Sequence, residues 1–147
     1  MKLAQIQMHV TADKAANLRH AEELLRSVRG ADMAILPEMF CCPYDNSCFR
    51  AYGEAAGGAA YQMLSRTARE LGLWLVGGSL PELDDGRVYN TSFVFDPQGA
   101  CVARHRKMHL FDIDVEGGQR FRESDTLSPG NDVTLFDTPW GRMGLCI

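Results

Sequence analysis

With 147 residues, 46% of them hydrophobic and 23% charged, the chain can bury one core and is too apolar to remain disordered. Its net charge of -4, with 15 Lys and Arg spread along the chain apart from a cluster at 104–107, gives no footprint for nucleic acid, so a small-molecule partner is expected. No run approaches the roughly 20 apolar residues of a membrane span and residues 1–8 are too short and polar for a signal peptide, so no membrane partner and a cytoplasmic location are expected.

Residues 2–8 alternate as a short buried strand does. Thr11 or Asp13 can cap a helix over 14–29, where Ala15, Leu18, Ala21, Leu25 and Val28 fall at helical spacing and Gly30 supplies the stop. Residues 33–36 form a continuous apolar run. Strand, helix and fully apolar strand predict a right-handed crossover and parallel pairing in an α/β core. Pro37 cannot continue a central strand, so Glu38 is delivered at the strand's carboxyl end, where open α/β sheets place their ligand crevice. A carboxylate there can act as a base, or it can cap a turn or pair with a surface arginine.

The segment 39–58 is turn-rich and long, which predicts a pocket-lining loop. Within it Tyr44 is the candidate substrate-binding residue, the alternative being a ring that only packs the loop. A second crossover helix is predicted over 59–71, ending before Gly72, followed by a buried strand over 74–79 whose glycines allow close backbone packing. A turn at 84–86, a strand over 88–95 and the turn Asp96-Pro97-Gln98-Gly99 lead into a strand over 100–107. Lys107 then lies at a strand end. Further on, Glu116-Gly117-Gly118 and Ser128-Pro129-Gly130 break the chain, and 133–136 with 142–147 predict a last hairpin. Five cysteines, at 41, 42, 48, 101 and 146, form no disulfide framework and read as reduced thiols. The group at 41, 42 and 48 lacks paired Cys-x-x-Cys spacing and a nearby histidine, so no metal site is expected.

Three stretches carry a family resemblance: Leu36-Pro37-Glu38, the basic-to-acidic run from Arg104 to Asp114, and Gly144-Leu145-Cys146-Ile147. In this order they resemble the Glu, Lys and Cys stretches of the nitrilase superfamily of carbon–nitrogen hydrolases, and residues 106–115 most resemble its omega-amidase branch. The resemblance implies an α/β fold, a four-layer αββα sandwich, of which residues 1–147 supply about the first half of a single domain. It implies that Glu38 is the base, that Lys107 stabilises the tetrahedral intermediate, and that Glu123 orients the lysine and substrate. A surface salt bridge from Glu123 to Arg120 or Arg122 is the competing role. A Glu and a Lys held close together form an ion pair that keeps both charged without a metal.

The family pattern at the last stretch runs Gly, apolar, variable, apolar, Cys, and residues 144–147 fill its first four places. The nucleophile is therefore expected immediately after Ile147, with Cys146 as its buried neighbour. Strand alternation adds only that positions 146 and 148 share a face. The implied reaction is hydrolysis of an ω-amide of a dicarboxylic acid, with no cofactor and in a homodimer or higher homo-oligomer. The alternatives are a nitrilase, an N-carbamoyl hydrolase, or an inactive fragment or binding module if no cysteine follows Ile147.

Overall fold

The computed structural model describes residues 1–147. In chain order its elements are β1 (Leu3–Gln5), α1 (Lys14–Ser27), β2 (Met33–Ile35), α2 (Asn46–Tyr52), α3 (Ala59–Leu71), β3 (Trp74–Val76), β4 (Leu80–Asp84), β5 (Arg87–Phe95), β6 (Cys101–Arg106), β7 (Asp112–Asp114), β8 (Arg120–Arg122), β9 (Thr134–Thr138) and β10 (Gly141–Leu145). No helix is long and apolar enough to cross a membrane.

The expected crossovers form a parallel trio, with Ala4 opposite Ala34 and Ala34 opposite Leu75. The long strand β5 then runs antiparallel to its neighbours. One of its edges is shared end to end by β3 and β4, and β6 takes the other. Of the two cap candidates, Asp13 caps α1, accepting from Ala16 N at 2.9 Å. Thr11 instead bonds the buried Asn17 side chain.

Alternation along the strands sorts the core into two faces. Ala34, Leu75, Phe93 and Phe95 pack with Leu25 of α1 and Leu64 of α3, while Met33, Val76, Val94 and Ala103 point the other way and pack with Phe136 of β9. The order is therefore helices, six-stranded sheet, then the two-stranded β9–β10 hairpin on its other face. Each fully buried Leu, Phe, Met or Val side chain among these contributes about 1.5–3 kcal/mol, which is why the period-two pattern fixes the register.

Four elements differ from the sequence reading. The loop over 39–58 contains α2, capped by Asp45 through Ser47 N at 2.8 Å. The strand expected over 74–79 ends at Val76, and a separate strand β4 follows. That strand contains Pro81, which is tolerated because β4 is an edge strand, met on its outer side by an isolated bridge from Glu54. The acidic run after Lys107 forms a small hairpin in which Asp112 and Asp114 face Arg122 and Arg120.

Candidate active site

The interruption between β3 and β4 builds the site. At Gly78 the chain adopts φ +56, and a Cβ there would lie 2.1 Å from the Pro37 carbonyl oxygen, so only glycine allows the two segments to meet. Ser79 then fastens the turn after β2. Its N donates to Pro37 O at 3.3 Å, its carbonyl accepts from Phe40 N at 3.2 Å, and its Oγ accepts from Met39 N at 3.0 Å. Met39 is held at φ +50, a conformation rare for a bulky side chain and directly adjacent to Glu38. Glu38 is thereby fixed at the carboxyl end of β2, on the face of the sheet that carries the β9–β10 hairpin.

Strand β6 supplies the cation. Ala103 and His105 face the hairpin, His105 Nδ1 lying 3.0 Å from Thr134 Oγ1, and the same alternation sends Lys107 toward Glu38. Lys107 N donates to Asn90 O at 2.8 Å and Lys107 O accepts from Gly130 N at 2.8 Å, so the backbone is held on both sides of the side chain. The ammonium lies 2.9 Å from Glu38 Oε1 and 3.2 and 3.1 Å from Glu123 Oε1 and Oε2. Burial pulls the Lys107 pKa down, but hydrogen bonds to the two carboxylates outweigh it and hold the pKa above its ordinary value. The group is therefore an ammonium at neutral pH.

Glu123 begins a short 3-10 turn after β8 and is 0% exposed. Its carboxylate accepts from the Tyr44 hydroxyl and from Phe111 N as well as from Lys107. It does not pair with Arg120 or Arg122, whose partners are Asp114, Asp112 and Asp125. Tyr44 packs the loop and is also joined to the site. Its ring packs edge-on against Phe49 and tilted against Phe121, its hydroxyl reaches Glu123, and 42% of the residue is exposed. Burial, then the bond to Glu123, raises the Tyr44 pKa, so it is a neutral donor. The four candidates, Glu38, Lys107, Glu123 and Tyr44, thus form one connected cluster.

Beside them lies a cavity of about 200 Å³, whose lining includes Glu38, Ser79, Ser92 and the last residues Leu145, Cys146 and Ile147. Cys146 requires a correction, because it is exposed rather than a buried neighbour. Met143 and Leu145 occupy the inward face of β10, which ends at Leu145, and Cys146 follows that end at the rim of the cavity. The sequence reading also missed Asn90, which is fully buried and donates from Nδ2 to Glu38 Oε1 at 2.7 Å. A signal existed, since asparagine is disfavoured in the middle of a strand otherwise rich in Tyr, Thr, Phe and Val.

Known proteins share this architecture. The chain is 47% identical to the omega-amidase NIT2 of Danio rerio over 99% of its own length and 53% of that protein, and 48% identical to that of Bos taurus over 99% and 54%. The chain spans about half the length of the curated relatives it matches. Among solved structures it is similar to Saccharomyces cerevisiae Nit3, with a TM-score of 0.84 and 34% identity over 99% of this chain and 54% of that one. It is also similar to the Caenorhabditis elegans NitFhit protein, with a TM-score of 0.80 and 26% identity over 98% and 37% of the respective chains. The carbon–nitrogen hydrolase family model matches residues 2–147, and with the sheet order and the Glu38–Lys107 geometry already described, the chain belongs to the carbon–nitrogen hydrolase family.

Proposed function

We propose that the full-length protein hydrolyses the ω-amide of a short aliphatic dicarboxylic acid through a cysteine thioester, releasing ammonia and the diacid. The observation that carries this reading is the single ammonium held between Glu38 and Glu123 beside an open cavity. The names of the relatives near 47% identity support the ω-amide as substrate.

In this scheme a cysteine immediately after Ile147 is the nucleophile. The end of β10 lines the cavity beside Glu38, which supports a thiol delivered at the next position. Glu38 takes the thiol proton as sulfur attacks the amide carbon, and the carbonyl electron pair moves to oxygen. Lys107, already an ammonium, stabilises that oxyanion. Collapse of the intermediate breaks the carbon–nitrogen bond, and Glu38 passes its proton to the departing ammonia. Water then attacks the thioester, giving its proton through Glu38 to the sulfur and releasing the acid. Glu123, itself held by the Tyr44 hydroxyl, holds Lys107, and Tyr44 borders the substrate. The chemistry closes without a cofactor. A cytoplasmic homodimer or higher homo-oligomer is part of the same proposal.

The test is an ammonia-release assay of the full-length protein on succinamate-like amides, an N-carbamoyl amine and an aliphatic nitrile. Turnover of the ω-amides is expected. Silence on all of them with turnover of the nitrile or the carbamoyl amine would overturn the substrate, and a residue other than cysteine after Ile147 would overturn the thioester.

A further inference from the structure

Glu38 has two carboxylate oxygens, and the structure treats them differently. Oε1 accepts from Asn90 Nδ2 at 2.7 Å and from Lys107 Nζ at 2.9 Å, which uses both of its lone pairs. Oε2 accepts from nothing, and 39% of the Glu38 side chain is exposed toward the cavity side. The Asn90 amide has only one sensible orientation, because turning it over would set Oδ1 against a carboxylate oxygen. In that orientation Asn90 Oδ1 is buried and has no partner.

Such an arrangement is poorly explained by stability. Asparagine is a weak strand former, Asn90 is completely buried in the middle of β5, and half of its amide remains unsatisfied. Local rules broken together at one residue point to a functional demand. The same residue also touches both members of the pair, since its carbonyl accepts from Lys107 N at 2.8 Å while its side chain bonds Glu38.

We propose that Asn90 is the positioning residue of the base: it pins Glu38 Oε1, together with Lys107, so that Oε2 is the atom that exchanges protons with the nucleophile and with ammonia. This rests on the reading of Glu38 as the base. Asn90 does not touch the reacting atoms. It removes the rotation of the carboxylate that would present the wrong oxygen or swing the group toward solvent.

The experiment is a double-mutant cycle in the full-length protein with succinamate as the probe, using Asn90→Leu, Asn90→Asp and Glu38→Gln, with melting curves for each. Leu matches Asn90 in size and deletes both the donor and the orphaned carbonyl. Asp keeps the size and replaces the donor with a carboxylate oxygen set against Glu38. The expected result is a fall in kcat of about tenfold or more in either single variant with KM little changed, since a misaimed base slows chemistry and not binding. In the Glu38→Gln background, where no base remains to be aimed, adding either Asn90 change is expected to alter the residual rate by less than about twofold. A merely structural role would cost activity again in that background and would follow the melting temperature. The proposal is overturned if the folded Asn90 variants keep wild-type kcat, or if their losses add to those of Glu38→Gln. Retention of activity by Glu38→Gln itself would instead defeat the reading of the site on which the proposal stands.

Discussion

Strand β6 ends at Arg106 and Lys107 follows it, two neighbouring cations that face opposite sides of the sheet and meet opposite fates. Arg106 turns toward the helix side. There its Nε donates to Glu82 Oε2 at 3.0 Å, its guanidinium approaches Asp84, and it lies 3.6 Å from the centre of the Tyr89 ring. Arg104 joins them, its Nη2 lying 2.6 Å from Glu82 Oε1 outside hydrogen-bond geometry, so that contact is coulombic. Two carboxylates meet two guanidiniums, and the charges balance. On the hairpin side, Lys107 alone serves Glu38 and Glu123, leaving one negative charge in excess and one carboxylate oxygen free.

The cavity beside the arginines is the larger of the two, about 440 Å³ against about 200 Å³ beside Glu38. Its size does not make it the reacting centre. Planar guanidiniums locked by carboxylates and an aromatic face have no group left to give or take a proton near pH 7. A buried ammonium flanked by a half-exposed carboxylate does. The comparison shows that incomplete neutralisation marks chemistry here better than volume does.

The largest effect that sharpens this contrast comes from Lys107→Ala. Turnover in the ammonia assay is expected to fall on the order of 10² to 10⁴, because charge that develops on the oxyanion loses its cation. The substitution also leaves Glu123 buried without a counter-charge, so chemical denaturation is expected to register a loss of about 3–5 kcal/mol. The pH dependence of that stability follows in sign from the raised Lys107 pKa. A raised folded pKa stabilises fully below the unfolded value, about 10.4 for lysine, and the gain disappears as pH rises through the folded value. The gap in stability between the wild type and Lys107→Ala is therefore expected to stay constant through neutral pH and to shrink only above that value. A gap that closed between pH 7 and 9 would show that the ammonium is not held as described.

Smaller effects are expected at the thiols. Burial raises the Cys41 and Cys42 pKa values to about 12, so both are expected to resist a thiol reagent at pH 8 in the native state. Cys146 is exposed and is expected to label, and Cys146→Ala should change stability by less than about 0.5 kcal/mol. Mass spectrometry of the labelled peptides checks the three sites together.

Much of this organisation was legible from sequence because it rests on patterns that repeat. The apolar run at 33–36, the helical spacing in α1 and α3 and the Gly stops report burial directly, and burial is what the sheet faces require. Glu38 and Lys107 were legible through strand ends and the family resemblance. What was missed depends on partners distant in the chain. The β7–β8 hairpin has three residues on each side, and its charged pairs become visible only when Asp112 meets Arg122. Cys146 was misread as buried because the resemblance suggests only a neighbour of a nucleophile, whereas the residue follows the end of β10 at the open rim of the cavity. Asn90 was missed because a polar residue inside a strand gives no hint of the carboxylate 52 positions away that it holds.

The most direct test applies one edit to both sides of the sheet. Glu38→Gln keeps an oxygen that can accept from Lys107 and Asn90 and deletes only the base, whereas Glu82→Gln removes the charge from a side chain 1% exposed between two arginines. Measured as kcat on succinamate and stability to denaturant in the full-length protein, Glu38→Gln is expected to lose about 10² or more in kcat with stability within about 1 kcal/mol. Glu82→Gln is expected to lose about 3 kcal/mol of stability while its folded molecules keep their turnover. The reverse pattern, an active Glu38→Gln enzyme and a stable but inactive Glu82→Gln enzyme, would move the reacting centre to the other face of the sheet and contradict the account.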